Sequence, residues 1–183
     1  MSISNLEEIL NKFRKRVVKE AKTSLTKQKK NATKETYNSI KSDSKVNKNS
    51  FELGFYMAEG GKFEDKGVTG KNDSSFKGRR KTINKSTAGY RFGSGNFKGR
   101  GEEWEKRIDK WMYARGIQGR DKKGKFIKRK TVNFLIRRSI FQHGTKASLF
   151  FTKPFESAYK DLLGEVSDAY ALDMDKFFDD SLK

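Results

Sequence analysis

The single histidine of this 183-residue chain, His143, stands beside Gly144, and there is no cysteine anywhere. Thiolate metal sites, multi-histidine metal sites, disulfides and a cysteine nucleophile are therefore excluded. A Ser–His–Asp relay is not excluded by composition, but no nucleophile-elbow pattern supplies its serine. Asp173, Asp175, Asp179 and Asp180 crowd the end of the chain and could offer oxygens to a divalent cation. They lack the spacing and the loop glycine of an EF-hand, so a solvated acidic tail is the expectation. The run Gly93-Ser94-Gly95-Asn96-Phe97-Lys98-Gly99 looks like a phosphate-cradling loop. Its third glycine is one place too far for G-x-G-x-x-G, and no Lys-Ser/Thr pair follows. The residue set predicts no enzyme and no catalytic, cofactor-binding or metal-binding residue.

What remains is charge. Lys and Arg number 42 against 23 Asp and Glu, a net +19, and such a field attracts polyanions or acidic protein surfaces. Two stretches interleave bases with aromatics, from Lys77 to Arg100 and from Arg120 to Arg138. Their candidate interface or DNA-facing residues are Lys77, Arg79, Arg80, Lys81, Arg91, Arg100, Arg120, Lys128, Arg129, Lys130, Arg137 and Arg138. Phosphate contacts from such residues would give salt-sensitive, sequence-neutral binding. The same residues suit an acidic protein neighbour. Residues 151–183 reverse the sign, with four Lys against eight Asp and Glu, so an acidic end of one copy could meet the basic body of another.

The elements that must position these side chains follow from periodicity. Ser4 and Glu7 make a capping-box pair, and Leu6, Leu10, Phe13, Val17, Ala21 and Leu25 recur at helical spacing from about residue 5 to the late twenties. Residues 28–40 read as a thin second helix or a frayed extension, and 42–50 as a Ser/Asn/Lys linker. Phe51, Leu53, Phe55 and Met57 alternate with more polar neighbours as a half-buried strand does. Lys71 to Gly101 is a long, basic, glycine-rich loop, in which Tyr90 and Phe92 suggest a short strand. Trp104, Ile108, Trp111 and Met112 share one helical face, and so do Val132, Leu135, Ile136, Ser139 and Ile140, with Gly116 and Gly144 placed to end the two helices. The basic turn between them is too long for a helix-turn-helix, which uses about three or four residues. Thr152 reads as an N-cap with Pro154 in the first turn, and a helical pattern then continues to the end, interrupted at Gly164. The candidate core is Phe51, Leu53, Phe55, Trp104, Ile108, Trp111, Leu135, Ile136, Ile140 and Phe151.

These elements predict an α+β fold: a small antiparallel sheet packed against amphipathic helices, with a long N-terminal helix, a basic Gly-rich loop and a C-terminal helix. The expected organisation is an N-terminal helical arm at 1–41, a linker at 42–50, a central domain at 51–160 containing the basic loop at 71–101, and an acidic C-terminal helix or tail at 161–183. Hydrophobic residues make up only 33% of the chain, and mean hydropathy is −0.92. Aromatics partly compensate, but a core this thin predicts a protein that gains order from partners. No apolar run approaches the ~20 residues of a membrane span, and the first 20 residues are too charged for a signal peptide. A soluble, intracellular chain is expected.

The ordered series from Phe51 to Tyr159 resembles the tail-completion or neck (head–tail connector) proteins of tailed bacteriophages. Its parts are the alternating strand ending near Tyr56, the segment Phe63-Glu64-Asp65-Lys66-Gly67-Val68-Thr69-Gly70, and a glycine-rich loop. A Trp helix ending in Arg-Gly-Ile at Ile117 follows, then an Ile-Arg-Arg-Ser-Ile helix with His-Gly-Thr and Phe150-Phe151 after it. The chain departs from that pattern in its long basic loop and in lacking a proline before the Trp helix. The resemblance implies a non-catalytic domain without cofactors that forms a homo-oligomeric ring. Its partners would be itself, portal or connector proteins and tail proteins, with non-specific contact to passing DNA and none to a membrane. It would reside in the virion neck, and in the host cytoplasm during assembly. The alternative from the residues alone is a sequence-neutral nucleic-acid-binding protein.

Overall fold

Six apolar side chains at intervals of three and four residues give helix α1, Ser4–Lys27, a continuous buried stripe. A helix this amphipathic is stable only against a second apolar surface. The computed structural model, which describes residues 4–47, 50–71, 84–94 and 101–182, supplies that surface from the far end of the chain. Helix α6, Thr152–Ser181, packs along α1 through Ala158, Leu162 and Ala169, all buried. The two helices run antiparallel, since Leu6 meets Asp173 and Arg16 meets Asp161 at 3.1 Å. Hydrogen bonds from Arg16 to Glu20 and to Asp161 raise its already high pKa further.

The chain divides into two units. The first holds α1, most of the short helix α2, Glu35–Ser39, strands β1, Lys41–Asn47, and β2, Ser50–Tyr56, and helix α6. The strands form an antiparallel hairpin in which Ser42 faces Phe55, Ser44 faces Leu53 and Val46 faces Phe51. Val46, Leu53 and Phe55 pack on the α1–α6 core. Phe55 sits among Phe13, Phe151 and Phe155 in edge-to-face pairs with centroids 5.4 to 6.2 Å apart, an arrangement worth ~0.5–1.5 kcal/mol per pair beyond burial. A second cluster joins Ala21, Leu25, Ile40 and Phe150. On the outer face of the hairpin the Tyr56 hydroxyl donates to Asp43 at 3.2 Å, and that carboxylate raises the tyrosine pKa above its ordinary value.

The second unit, residues 31–35 and 59–149, contains helix α3, Glu59–Lys66, strand β3, Val68–Thr69, helices α4, Glu102–Ala114, and α5, Arg129–His143, and strand β4, Gly144–Thr145. Strands β3 and β4 pair antiparallel. Arg91 forms a single parallel bridge to Thr69, with Tyr90 and Phe92 exchanging backbone hydrogen bonds with Thr69 at 2.8 and 2.9 Å. Backbones meet here with no room for a side chain: a Cβ on Gly70 would strike the Gln142 carbonyl, and one on Gly144 the Val68 carbonyl. Gly116 and Gly144 both adopt positive φ just beyond α4 and α5, as their placement in the sequence predicts.

The α+β class and the long N-terminal helix are therefore present, while the expected boundaries are not. The expected N- and C-terminal helices are present, but α1 and α6 pack on each other in one core rather than standing apart. Residues 42–47, expected as linker, are strand β1. Its inward face offers Ser42, Ser44 and Val46, so hydropathy does not alternate, and pairing with β2 supplies the order that composition hides. The sheet packs on α1 and α6, and residues 51–160 are divided between the two units. Residues 28–40 contribute only the five-residue α2. Helix α6 passes through Gly164 without interruption, and it starts at Thr152 with Phe151 in the cap position.

Candidate interaction surfaces

Helices α4 and α5 are joined by side chains that their charge predicts to face outward. Asn133, buried on α5, donates from Nδ2 to the Glu105 carbonyl at 3.0 Å. Its Oδ1 accepts from Arg137 Nε at 2.7 Å, and Arg137 continues to the Glu105 carboxylate at 2.9 Å. One turn beyond, Arg129 reaches both the Asp109 carboxylate at 2.6 Å and the Asp109 carbonyl at 2.8 Å. A fork-shaped guanidinium held by two acceptors is a brace with fixed geometry. Arg129 and Arg137 are therefore bonded within the unit, Arg137 half-buried and Arg129 still exposed at 46% of its side chain.

The inward face of α5 is rotated from the apolar one. Val132 and Asn133 are buried, Ile136, Arg137 and Ile140 half-buried, and Leu135 is 50% exposed. Leu135 is not core. On α4 the buried residue is Met112, while Trp104, Ile108 and Trp111 are half-buried, with Trp104 stacked on Phe92 at 6.3 Å. In the first unit Phe51 is exposed, Leu53, Phe55 and Phe151 are half-buried, and Phe150 is fully buried.

The basic turn before α5 is an ordered hairpin. Asp121 Oδ1 accepts the backbone N–H groups of Lys123 and Lys125 at 2.8 and 2.9 Å, Gly124 takes positive φ, and Arg120 bridges to Phe126. The Arg120 guanidinium lies 4.0 Å from the centre of the exposed Phe126 ring, a cation–π contact. Lys122, Lys123, Lys125, Lys128 and Lys130 stand exposed on and beside this hairpin. Arg91 and Arg138 are exposed elsewhere on the unit, Arg91 donating to the Lys71 carbonyl at 3.4 Å. Lys77, Arg79, Arg80, Lys81 and Arg100, with most of the expected basic loop and the Gly95–Gly99 run, lie outside the described residues. Among the described residues no group of three His, Asp or Glu could hold a metal ion, and no helix is long and apolar enough to cross a membrane.

Two surfaces of the first unit are not singled out by the sequence. The first is on α6, where Leu163, Tyr170 and Phe177 recur every seven residues, each at least 42% exposed, with Tyr159 one turn before them. Seven residues are nearly two turns, so these side chains form one row along about 21 Å of helix. In the sequence they merge with the buried stripe, because an α6 apolar on two faces looks like one apolar on a single broad face. The second is a groove along α1 lined by Lys15, Lys19, Lys22 and Lys27, with Tyr37 and Ser42 at its edge. A basic helix face of this kind is by default a solvated surface.

No protein-family model matches this chain, and neither a curated protein nor a solved structure does.

Proposed function

We propose that this chain is a structural, non-catalytic virion protein of a tailed phage that assembles into a ring at the neck, between connector and tail. The observation that carries the assembly part of this reading is the exposed apolar row Tyr159, Leu163, Tyr170 and Phe177 on α6. Large apolar side chains aligned at seven-residue spacing resemble the seam through which helices associate, and contiguous exposed apolar surface marks an interaction site. A second copy is the simplest occupant, since a structure completed by its own copies needs no other partner. The resemblance of the Phe51–Tyr159 series to neck proteins supports the location.

Sedimentation of the full chain, alone and with a connector ring, tests this. We expect a discrete multimer that L163E/Y170E converts to a folded monomer with unchanged far-UV circular dichroism. A wild-type chain that stays monomeric and binds no connector overturns the reading. The alternative, sequence-neutral nucleic-acid binding, is supported by the hairpin that sets Arg120 against the exposed Phe126 ring and carries the exposed Lys122, Lys123 and Lys125. Stacking platforms with surrounding cations suit single strands. Retention of unrelated single-stranded DNA that Phe126→Ala leaves unchanged would count against it.

A further inference from the structure

The groove along α1 has a chemistry of its own. It encloses about 530 Å³, and its lining includes the four lysines Lys15, Lys19, Lys22 and Lys27 but no carboxylate. None of these lysines forms an ion pair among the described residues. Glu20, the acid within this stretch of α1, is held by Arg16 at 3.1 Å. Asp43, next to Ser42 at the groove edge, accepts from Tyr56. Lys22 lies over the Tyr37 ring at 5.3 Å, which holds its ammonium at the groove. Thr23 and Thr26 donate their hydroxyls back to the Lys19 and Lys22 carbonyls at 2.9 and 3.1 Å, so the lysines are the groove's charged donors. Like charges three and four residues apart repel on a helix, and an anion bound along the groove would relieve that repulsion.

Spacing narrows the anion. Lys15 to Lys22 spans about 10 Å of helix axis, and one strand of duplex DNA places a phosphate about every 3.4 Å of its axis. About three phosphate intervals fit that length, so lysines roughly 6 and 4.5 Å apart along α1 can each reach a different phosphate of one strand. An acidic protein helix is the poorer fit, because protein interfaces are depleted in lysine and rely on buried apolar or aromatic anchors. The groove offers one aliphatic residue, Val18. We propose that this groove binds the phosphodiester backbone of nucleic acid, laid along α1 with Lys15, Lys19 and Lys22 each against a phosphate of one strand. The site is separate from the Arg120 hairpin and does not depend on the neck assignment.

The test is fluorescence anisotropy of a labelled duplex of unrelated sequence with the full-length chain, titrated across salt concentrations. Wild type is compared with K15Q/K19Q/K22Q and with K85Q/K146Q/K160Q, which removes the same charge from exposed positions outside the groove. Each phosphate contact contributes about 0.9 to the slope of log affinity against log salt. The groove variant should therefore lose about 2 to 3 units of slope and at least tenfold in affinity near physiological salt, while the control keeps its slope. Glutamine is as good a helix former as lysine, so unchanged circular dichroism is expected of both. Equal losses in the two variants would reduce the effect to net charge and overturn the site. A groove variant that binds duplex normally but changes sedimentation would assign the groove to a protein partner and overturn it as well.

Discussion

The carboxylate of Asp173 is buried against the first turn of α1, where its Oδ2 accepts the Leu6 backbone N–H at 3.0 Å and its Oδ1 that of Asn5 at 3.2 Å. The first turn of a helix leaves its N–H groups without intrahelical partners and carries positive partial charge. An acid from a helix 167 residues away in sequence answers both needs. It fixes the register of α1 on α6, because sliding either helix by one turn would strand a carboxylate and two amides out of water.

Replacing Asp173 with Ala should destabilise the first unit by about 1–3 kcal/mol, the cost of leaving buried donors unsatisfied. Asp175→Ala, two residues on and exposed, should change stability by less than about 0.5 kcal/mol. Hydrogen exchange at the Asn5 and Leu6 amides gives the local readout: faster in the Asp173 variant, unchanged in the other. Equal protection in both would show that Asp173 does not cap the helix.

A second prediction inverts what hydropathy says about α5. Asn133 is buried and bonded on both ends of its amide, to Glu105 and Arg137, whereas Leu135 is half exposed. Asn133→Ala should cost about 1–3 kcal/mol, because the Arg137 fork loses an acceptor and the Glu105 carbonyl a donor. Leu135→Lys should fall within about 0.5 kcal/mol of wild type. Urea unfolding of the two variants decides the matter; a larger loss from Leu135→Lys would place the apolar face inward after all.

These cases show where the sequence was legible. The stripe of α1 and the turn glycines 116 and 144 are local signals, and the structure has each of them. Of the alternating Phe51, Leu53, Phe55 and Met57, Leu53 and Phe55 are covered within β2, Phe51 is exposed and Met57 lies beyond the strand. What could not be read is pairing over long separations. Asp173 looks like part of a solvated acidic end until α1 lies against it. The Ser42–Ser44–Val46 face looks like linker until β2 covers it. The ion pairs of Arg129 and Arg137 with carboxylates on α4 carry no sequence mark of their partnership. The lysine groove stayed hidden for a related reason: a basic helix face is ordinary, and only Tyr37 and Ser42 beside it make it concave.

The last prediction concerns Gly164, placed in the middle of α6. In a helix interior glycine costs roughly 0.5–1 kcal/mol relative to alanine, because the unfolded chain gains freedom and the folded helix gains no contact. Such a residue persists where a Cβ would clash, yet a Cβ built on Gly164 meets nothing within 4 Å. Gly164→Ala should therefore raise stability by about 0.5–1 kcal/mol in the isolated chain, read as a shift of the urea midpoint at constant slope. Gly164 directly follows Leu163, at the edge of the exposed row on α6, so the same variant probes assembly. If a second helix approaches closely there, the added methyl group should weaken the multimer while stabilising the protomer. A variant that gains stability and keeps wild-type assembly would place the partner helix farther from Gly164, on the Tyr159–Tyr170 side of the row.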